Sequence, residues 1–252
     1  MPQTIRTLVL DETGSTNREA LARAAEGETG PLWIMARRQT AGRGRSGRSW
    51  VSERGNLYAT LVTRMACPPA AVAQVSLVTG VAVHDAVAEA AGRVPPGLRL
   101  KWPNDVLIGR AKCAGILAES VLGQNTVTVA IGVGINLAWH PGDLGREATH
   151  LAVHGIDISP DAMLGLLAAT MDRRLTQWNG GAGFAATRAA WLERAGPAGE
   201  ACSVNLGGEV IAGAFAGLDD SGALLIDDDA GRRRTVAFGD VSLPAAAEAG
   251  AV

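Results

Sequence analysis

Between residues 98 and 136 the chain carries four short apolar runs, LRLKW, DVLIG, CAGILAESV and TVTVAIGVGIN, each of strand length and each closed by turn residues. The breaks hold Pro-Asn-Asp, Gly-Arg and Gly-Gln-Asn, residue types that fix φ, adopt positive φ or bond their own backbone. Such a stretch folds as successive hairpin-like strands. A sheet of this kind must be covered, and the segment AAVAQVSLVTGVAVHDAVAEAAG (70–92) meets that need. It follows Pro68-Pro69, has helix length and is apolar nearly all round, so it reads as a long buried helix backing the sheet.

The rest of the chain fits round this core. Thr16-Asn17-Arg18-Glu19 has capping-box spacing and opens a helix over 16–25. LWIMA (32–36) and LYATLVT (57–63) read as strands, with a loop joining them. Ser159-Pro160-Asp161 supplies a cap, a proline at the first helical position and an acid in the first turn, which predicts a helix to Trp178; a second spans 183–195. After Gly196-Pro197 come short strands with close turns, the pattern of a small barrel of about 45 residues. The fold class is therefore α+β, with a main domain over 1–196, a small β domain over 197–244 and a frayed tail at 245–252.

Composition bounds the function. At 252 residues, with 47% hydrophobic and 19% charged, the chain is globular and can bury a sizeable core. No stretch reads as long and apolar enough to span a bilayer, and the N-terminus lacks the pattern of a secretory signal, so a soluble, cytoplasmic protein with no membrane partner is expected. Cys67, Cys113 and Cys202 are odd in number and scattered, which predicts reduced thiols. His84, His140, His150 and His154 lack metal-ligand spacing, so no protein-caged metal is expected. The net charge of -2 leaves no basic excess for nucleic acid; the positive charge is local.

It concentrates in GRGRSGRSW, residues 42–50. Gly42, Gly44 and Gly47 match G-x-G-x-x-G, but the dinucleotide fingerprint needs a helix opening at the last glycine and an acid about 20 residues on. Here Gly55-Asn56 leads into a strand, and the region around Cys67 offers no carboxylate. Arg43, Arg45 and Arg48 instead present guanidinium forks that pair bidentately with phosphate or carboxylate. Two readings stand: a solvated loop that binds nothing, or a glycine-hinged lid, open when empty, that wraps an anion.

Three further motifs bear on that choice. Lys101-Trp102-Pro103-Asn104-Asp105 places a cation, a rigid aromatic and short polar groups in one turn, as packing or as chemistry. Lys112 enters the apolar strand CAGIL, either snorkelling or buried for a purpose. Gly132 and Gly134 interrupt a β-branched strand that ends at Asn136, as a bulge or where something approaches the backbone closely.

In this order and spacing, GRGRxGRxW, KWPND, KxAGIL and GxGIN resemble the biotin–protein ligase family over most of the first 195 residues. The barrel-like end is similar to that family's SH3-like C-terminal domain. The resemblance implies a central mixed sheet with helices on one side, as in class II aminoacyl-tRNA synthetases. It implies a two-step reaction: the carboxylate of biotin attacks the α-phosphate of ATP to give biotinyl-AMP and pyrophosphate, and a lysine of a biotin carboxyl carrier protein or domain then takes the biotin. Mg2+ would be held mainly by phosphate oxygens and waters. Pairing of two chains through sheet edges is allowed. Family members that repress transcription begin with a winged helix, whereas this chain opens on the catalytic domain, so no DNA partner is expected.

By the same resemblance, Lys112 bridges the biotin carboxylate and the α-phosphate, Arg43 and Arg45 close over biotin and the adenylate, and Arg48 reaches phosphate. Ser15, Thr16 and Gln39 match polar contacts to the ureido ring, with Asn17 and Gly42 beside them; helix capping is the other reading of Ser15 and Thr16. Gly115, Gly132 and Gly134 match positions where backbone lies against ligand. Lys101, Asn104, Asn136 and Trp50 fall to the nucleotide, and Asp105 to magnesium or to orienting a lysine. The chain departs from the pattern at Ser46, where a fourth arginine is common, and at Cys113, where an aliphatic residue is usual. Cys113 raises the lipoate and octanoyl transferases of the same fold as an alternative, and the basic loop raises an RNA-binding module.

Overall fold

The computed structural model describes residues 6–123, 126–142 and 147–243; the tail expected at 245–252 lies outside them. The main sheet has seven strands in the order β1 (Thr7–Thr13), β2 (Leu32–Gln39), β3 (Leu57–Met65), β7 (Val127–Ile135), β6 (Ala111–Leu122), β5 (Asp105–Ile108) and β4 (Leu98–Lys101). Only β1 and β2 run parallel, so the sheet is mixed. β1 was not anticipated. It lies at the sheet edge with most side chains exposed, and only Leu8 and Leu10 pack, partly buried, on a small apolar cluster.

The strand β7 decides how the two faces differ. Val129, Ile131, Val133 and Ile135 enter the main core, while Ala130, Gly132 and Gly134 alternate with them and point to the opposite face. Pairing with β3 and β6 runs through Val127–Ile135 without a register shift, so the glycines mark no bulge. On the bulky face pack α2 (Val75–Ala90), α3 (Pro160–Trp178) and α4 (Phe184–Glu193). On the other, α1 (Thr16–Ala25) sets Ala20 against Leu32, Ile34, Val62 and Ala130. Helices thus lie on both faces, not on one as the resemblance implied, because β2 and β3 present apolar residues in both directions.

Three local readings need correction. The α1 bounds are as expected, but no capping box forms: Ser15 holds the cap position without a side-chain cap bond, and Glu19 pairs with Arg23 instead. The apolar helix begins as a 3-10 turn over Pro69–Gln74 and becomes α-helical at Val75, with no side-chain cap to settle a regular first turn. Pro69–Ala90 is also long and apolar enough to cross a bilayer, with mean hydropathy 1.4, contrary to the sequence reading. In the fold it is the central core helix, with Val75, Val78, Val81, Val83 and Val87 fully buried.

The second sheet is antiparallel throughout, in the order β11 (Arg233–Val236), β10 (Leu224–Asp228), β9 (Val210–Leu218), β8 (Ala201–Asn205), β12 (Asp240–Ser242). Val204, Leu218, Leu224 and Ile226 join the core that α2 and α4 fill. Trp102 Nε1 donates to the Gly222 carbonyl at 3.2 Å, and Lys101 Nζ to that of Val241 at 3.0 Å. These contacts bring β12 to the KWPND turn, at the end of the main sheet where the candidate site lies.

Candidate active site

The small-residue face of the sheet is the floor of a cavity of about 800 Å3. Cross-strand pairing places Tyr58 against Gly134, Thr60 against Gly132, Gly115 against Gly134 and Asp105 against Gly115, so these residues share one surface. Close approach to the glycines does occur, and the chain's own side chains make it. Asn17 Oδ1 occupies the space over Gly132, and the Trp50 indole lies where a Cβ on Gly134 would meet it at 2.6 Å. A Cβ on Gly115 would lie 2.8 Å from Lys112 Nζ and 3.0 Å from Trp50.

At the N-terminus of α1 the polar residues converge on one corner. Thr16 N–H donates to Gln39 Oε1 at 2.9 Å, and Thr60 Oγ1 lies 2.8 Å from Thr16 Oγ1 and 2.7 Å from Asn17 Oδ1. Ser15, Thr16 and Asn17 are each under 5% exposed. Small hydroxyls and amides so confined can read a neutral ring that carries both donors and acceptors.

Beside this corner sits a compact charge cluster. Lys112 Nζ donates to Asp105 Oδ1, and Lys101 Nζ lies 3.0 Å from Asp105 Oδ2, so one carboxylate carries two ammonium groups. Burial would raise the Asp105 carboxyl, but the Lys112 and Lys101 charges override it and hold the group down at about 2. Asp105 thus pairs with one lysine through each of its two oxygens. Lys112 also lies 5.2 Å above the Trp50 ring centroid. Two ammonium groups thus face one carboxylate at a nearly buried point, an arrangement suited to receive anions.

The arginine loop is the roof, and it lies across the cavity rather than standing open. A single 3-10 turn over Arg45–Gly47 shapes it, with no helix at the last glycine, as expected. Arg43 pairs with Glu119 at 3.2 Å, Arg48 with Asp240 at 2.7 Å, and Arg45 donates to the Gly239 carbonyl at 3.2 Å. The second sheet thus supplies a wall, with Asp240, Val241, Ser242 and Leu243 lining the space. Trp50 Nε1 is buried with no acceptor among the described residues, a donor worth about 1–3 kcal/mol if a ligand satisfied it.

Of the expected site residues, Ser15, Thr16, Asn17, Gln39, Arg43, Arg45, Arg48, Trp50, Lys101, Asn104, Asp105, Lys112, Gly115, Gly132 and Gly134 all line this cavity. Asn104 commits its amide to the Ile116 carbonyl at 2.6 Å. Two others are not on its wall. Gly42 closes the base of the loop, where Trp50 N–H donates to its carbonyl, and Asn136 donates to the Thr149 carbonyl and so pins the segment beside Lys112. Sequence reasoning missed Thr60, Glu119 and Asp240, whose partners lie 43 or more positions away in the chain, and Arg110, which lines the cavity with no ion pair among the described residues. Cys113 is fully buried, donates weakly to the Val106 carbonyl, and is pushed up to about 12 by burial. It is no nucleophile.

A cationic cavity on a mixed sheet, closed by a basic loop and by a second small β unit, is suited to a ligand that carries negative charge. Residues 11–136 match the biotin/lipoate A/B protein ligase family, and residues 198–243 match the biotin protein ligase C-terminal domain. The biotin–(acetyl-CoA-carboxylase) ligase of Paracoccus denitrificans is 44% identical over 234 residues, 89% of this chain and 95% of that protein. Its counterpart in Mycobacterium tuberculosis is 37% identical over 240 residues, 92% and 87% of the respective chains. Among solved structures, the Aquifex aeolicus biotin protein ligase in complex with biotin and ATP superposes with a TM-score of 0.77 at 28% identity, over 94% of this chain and 97% of that one. The chain belongs to the biotin/lipoate A/B protein ligase family, as an enzyme of the biotin protein ligase kind.

Proposed function

We propose that this chain joins biotin to a lysine of a biotin carboxyl carrier domain in two steps at one cavity, with residues 1–196 as the catalytic unit and 197–244 as the wall that completes it. The observation that carries the reading is the Lys112–Asp105–Lys101 cluster, set between the polar corner of Thr16 and Gln39 and the arginine loop. A carboxylate and a triphosphate repel each other, so an approach between them needs fixed positive charge in a site of low dielectric.

In the first step a carboxylate oxygen of biotin attacks the α-phosphorus, the bond to the bridging oxygen breaks, and pyrophosphate leaves. Lys112 is placed to neutralise both anions as they meet, and Asp105 holds its ammonium in position. In the second step the deprotonated amine of the carrier lysine attacks the acyl carbon and AMP departs. Between the steps the arginine loop shields the mixed anhydride from water. Trp50 Nε1 is the donor offered to the adenylate. Magnesium would ride on phosphate oxygens, since Asp105 and Asp240 already face cations and no cluster of three His, Cys, Asp or Glu side chains stands together among the described residues. The unpaired outer edge of β1 leaves room for pairing of two chains, and cytoplasmic residence fits the reduced cysteines.

Incubation with labelled biotin, ATP, magnesium and a carrier domain tests this. The carrier is expected to gain the mass of a biotinyl group, biotin less one water, on one lysine only when ATP is present. Transfer of lipoate or octanoate in preference to biotin contradicts it, as does salt-sensitive RNA binding that ignores ATP.

A further inference from the structure

Resting on the biotin-ligase reading, we propose that Glu119 is a positioning residue that ties the arginine loop to the floor of the vitamin pocket, through Arg43 on one side and Asn17 on the other. The Glu119 carboxylate accepts from Asn17 Nδ2 at 2.8 Å, and both of its oxygens lie 3.2 Å from Arg43 Nη2. A count of protons fixes the direction of the bonds beyond it. The Asn17 amide gives its hydrogens to Glu119 and to the Leu117 carbonyl, so Asn17 Oδ1 accepts and the Thr60 hydroxyl, 2.7 Å away, donates to it. Thr60 is fully buried and has one hydroxyl proton, so toward Thr16 Oγ1 at 2.8 Å it accepts.

The chain of bonds continues to the far end of the loop. Thr16 N–H donates to Gln39 Oε1, Gln39 Nε2 to Ser52 Oγ at 2.8 Å, and the Ser52 hydroxyl to the Trp50 carbonyl at 2.9 Å. One series of hydrogen bonds therefore starts at Arg43, crosses the floor and ends at Trp50, joining both ends of the loop. The Thr16 hydroxyl also lies 3.1 Å from Gln39 Oε1, so its single proton has two acceptors. A ligand that bonds to Thr16 or Gln39 selects between them and so makes or breaks the Thr16–Thr60 link of the series. Glu119 is where that selection meets the charge of the loop.

The test follows biotinyl-AMP made by the full chain from biotin, ATP and magnesium, measuring its rate of release and the KM for biotin. A wild-type protein that forms no adenylate overturns the functional reading itself, and is thereby distinguished from failure of this proposal. With an active wild type, Glu119→Gln keeps an oxygen for Asn17 and loses the ion pair. It is expected to release the adenylate about fivefold faster with the KM for biotin within about twofold. Thr60→Val, which cuts the series at its middle, is expected to raise both the KM and the release rate. Glu119→Ala is expected to do the same, and the other two variants keep the test decisive should it fail to fold. Release from Glu119→Gln at the wild-type rate overturns the proposal. So does a loss confined to the amount of folded enzyme, with KM and release unchanged.

Discussion

Burial alone would raise the Asp105 carboxyl, but the Lys112 and Lys101 ammonium groups hold it down at about 2. That value lies below the unfolded value near 4, so the stabilisation is present above about pH 4 and is lost as the pH falls toward 2. We expect Asp105→Asn to remove on the order of 2 kcal/mol of acid-dependent stability over that window, measured as the difference from wild type in urea unfolding. Glu28 and Asp85 are also held down at about 2, so the difference between the two proteins is the readout, and identical slopes would sink the assignment. The motifs put Lys112 and Asp105 in view because they sit seven residues apart in one sequence block. They could not reveal Glu119 or Asp240, which matter only through contacts with Arg43 and Arg48 that folding creates.

Among the elements, α2 shows why the helices and most strands were legible in the sequence. Its residues are apolar on all sides because it is enclosed by the sheet, α3 and α4. β6 and β7 were equally plain, and the glycines of β7 were intelligible once their alternation with Val129, Ile131, Val133 and Ile135 was set against a two-faced sheet. β1 stayed hidden because its alternation is short, Leu8 and Leu10 turning inward beside an exposed Val9, and the capping box misled because Ser15 rather than Thr16 holds the cap position while the Thr16 hydroxyl turns into the site. Gly80, within α2, offers an element-scale test. A methyl added there meets Leu100 and Trp191 at 3.7 Å, which is ordinary contact. Gly80→Ala is expected to gain about 0.5–1 kcal/mol, raising Tm by roughly 2–4 °C, from reduced backbone freedom in the unfolded chain. A lower Tm would mean that the helix and its neighbours have no room to give.

At the scale of the whole molecule, the two sheets share one core. Leu77 of α2 and Phe184 of α4 press on Gly222, and Trp102 reaches the same residue with its indole N–H. We therefore expect a single calorimetric unfolding transition, and we expect Trp102→Phe, which leaves the Gly222 carbonyl unpaired, to lower stability by about 1 kcal/mol without splitting that transition. Two transitions in the wild type would show that the second sheet is a separate unit, and its role as a wall of the site would fall. That union completes the cavity wall with Asp240 to Leu243, Asp240 pairing with Arg48 and Lys101 donating to the Val241 carbonyl. The proposed reaction assigns the meeting of the two anions to Lys112, and biotin-dependent exchange of labelled pyrophosphate into ATP reads the adenylation step without any carrier. The wild-type chain should support that exchange, and Lys112→Ala, folded and still able to bind ATP, should lose about 3 kcal/mol of transition-state stabilisation, a rate loss between a hundredfold and a thousandfold. Exchange in Lys112→Ala near the wild-type rate would contradict the account.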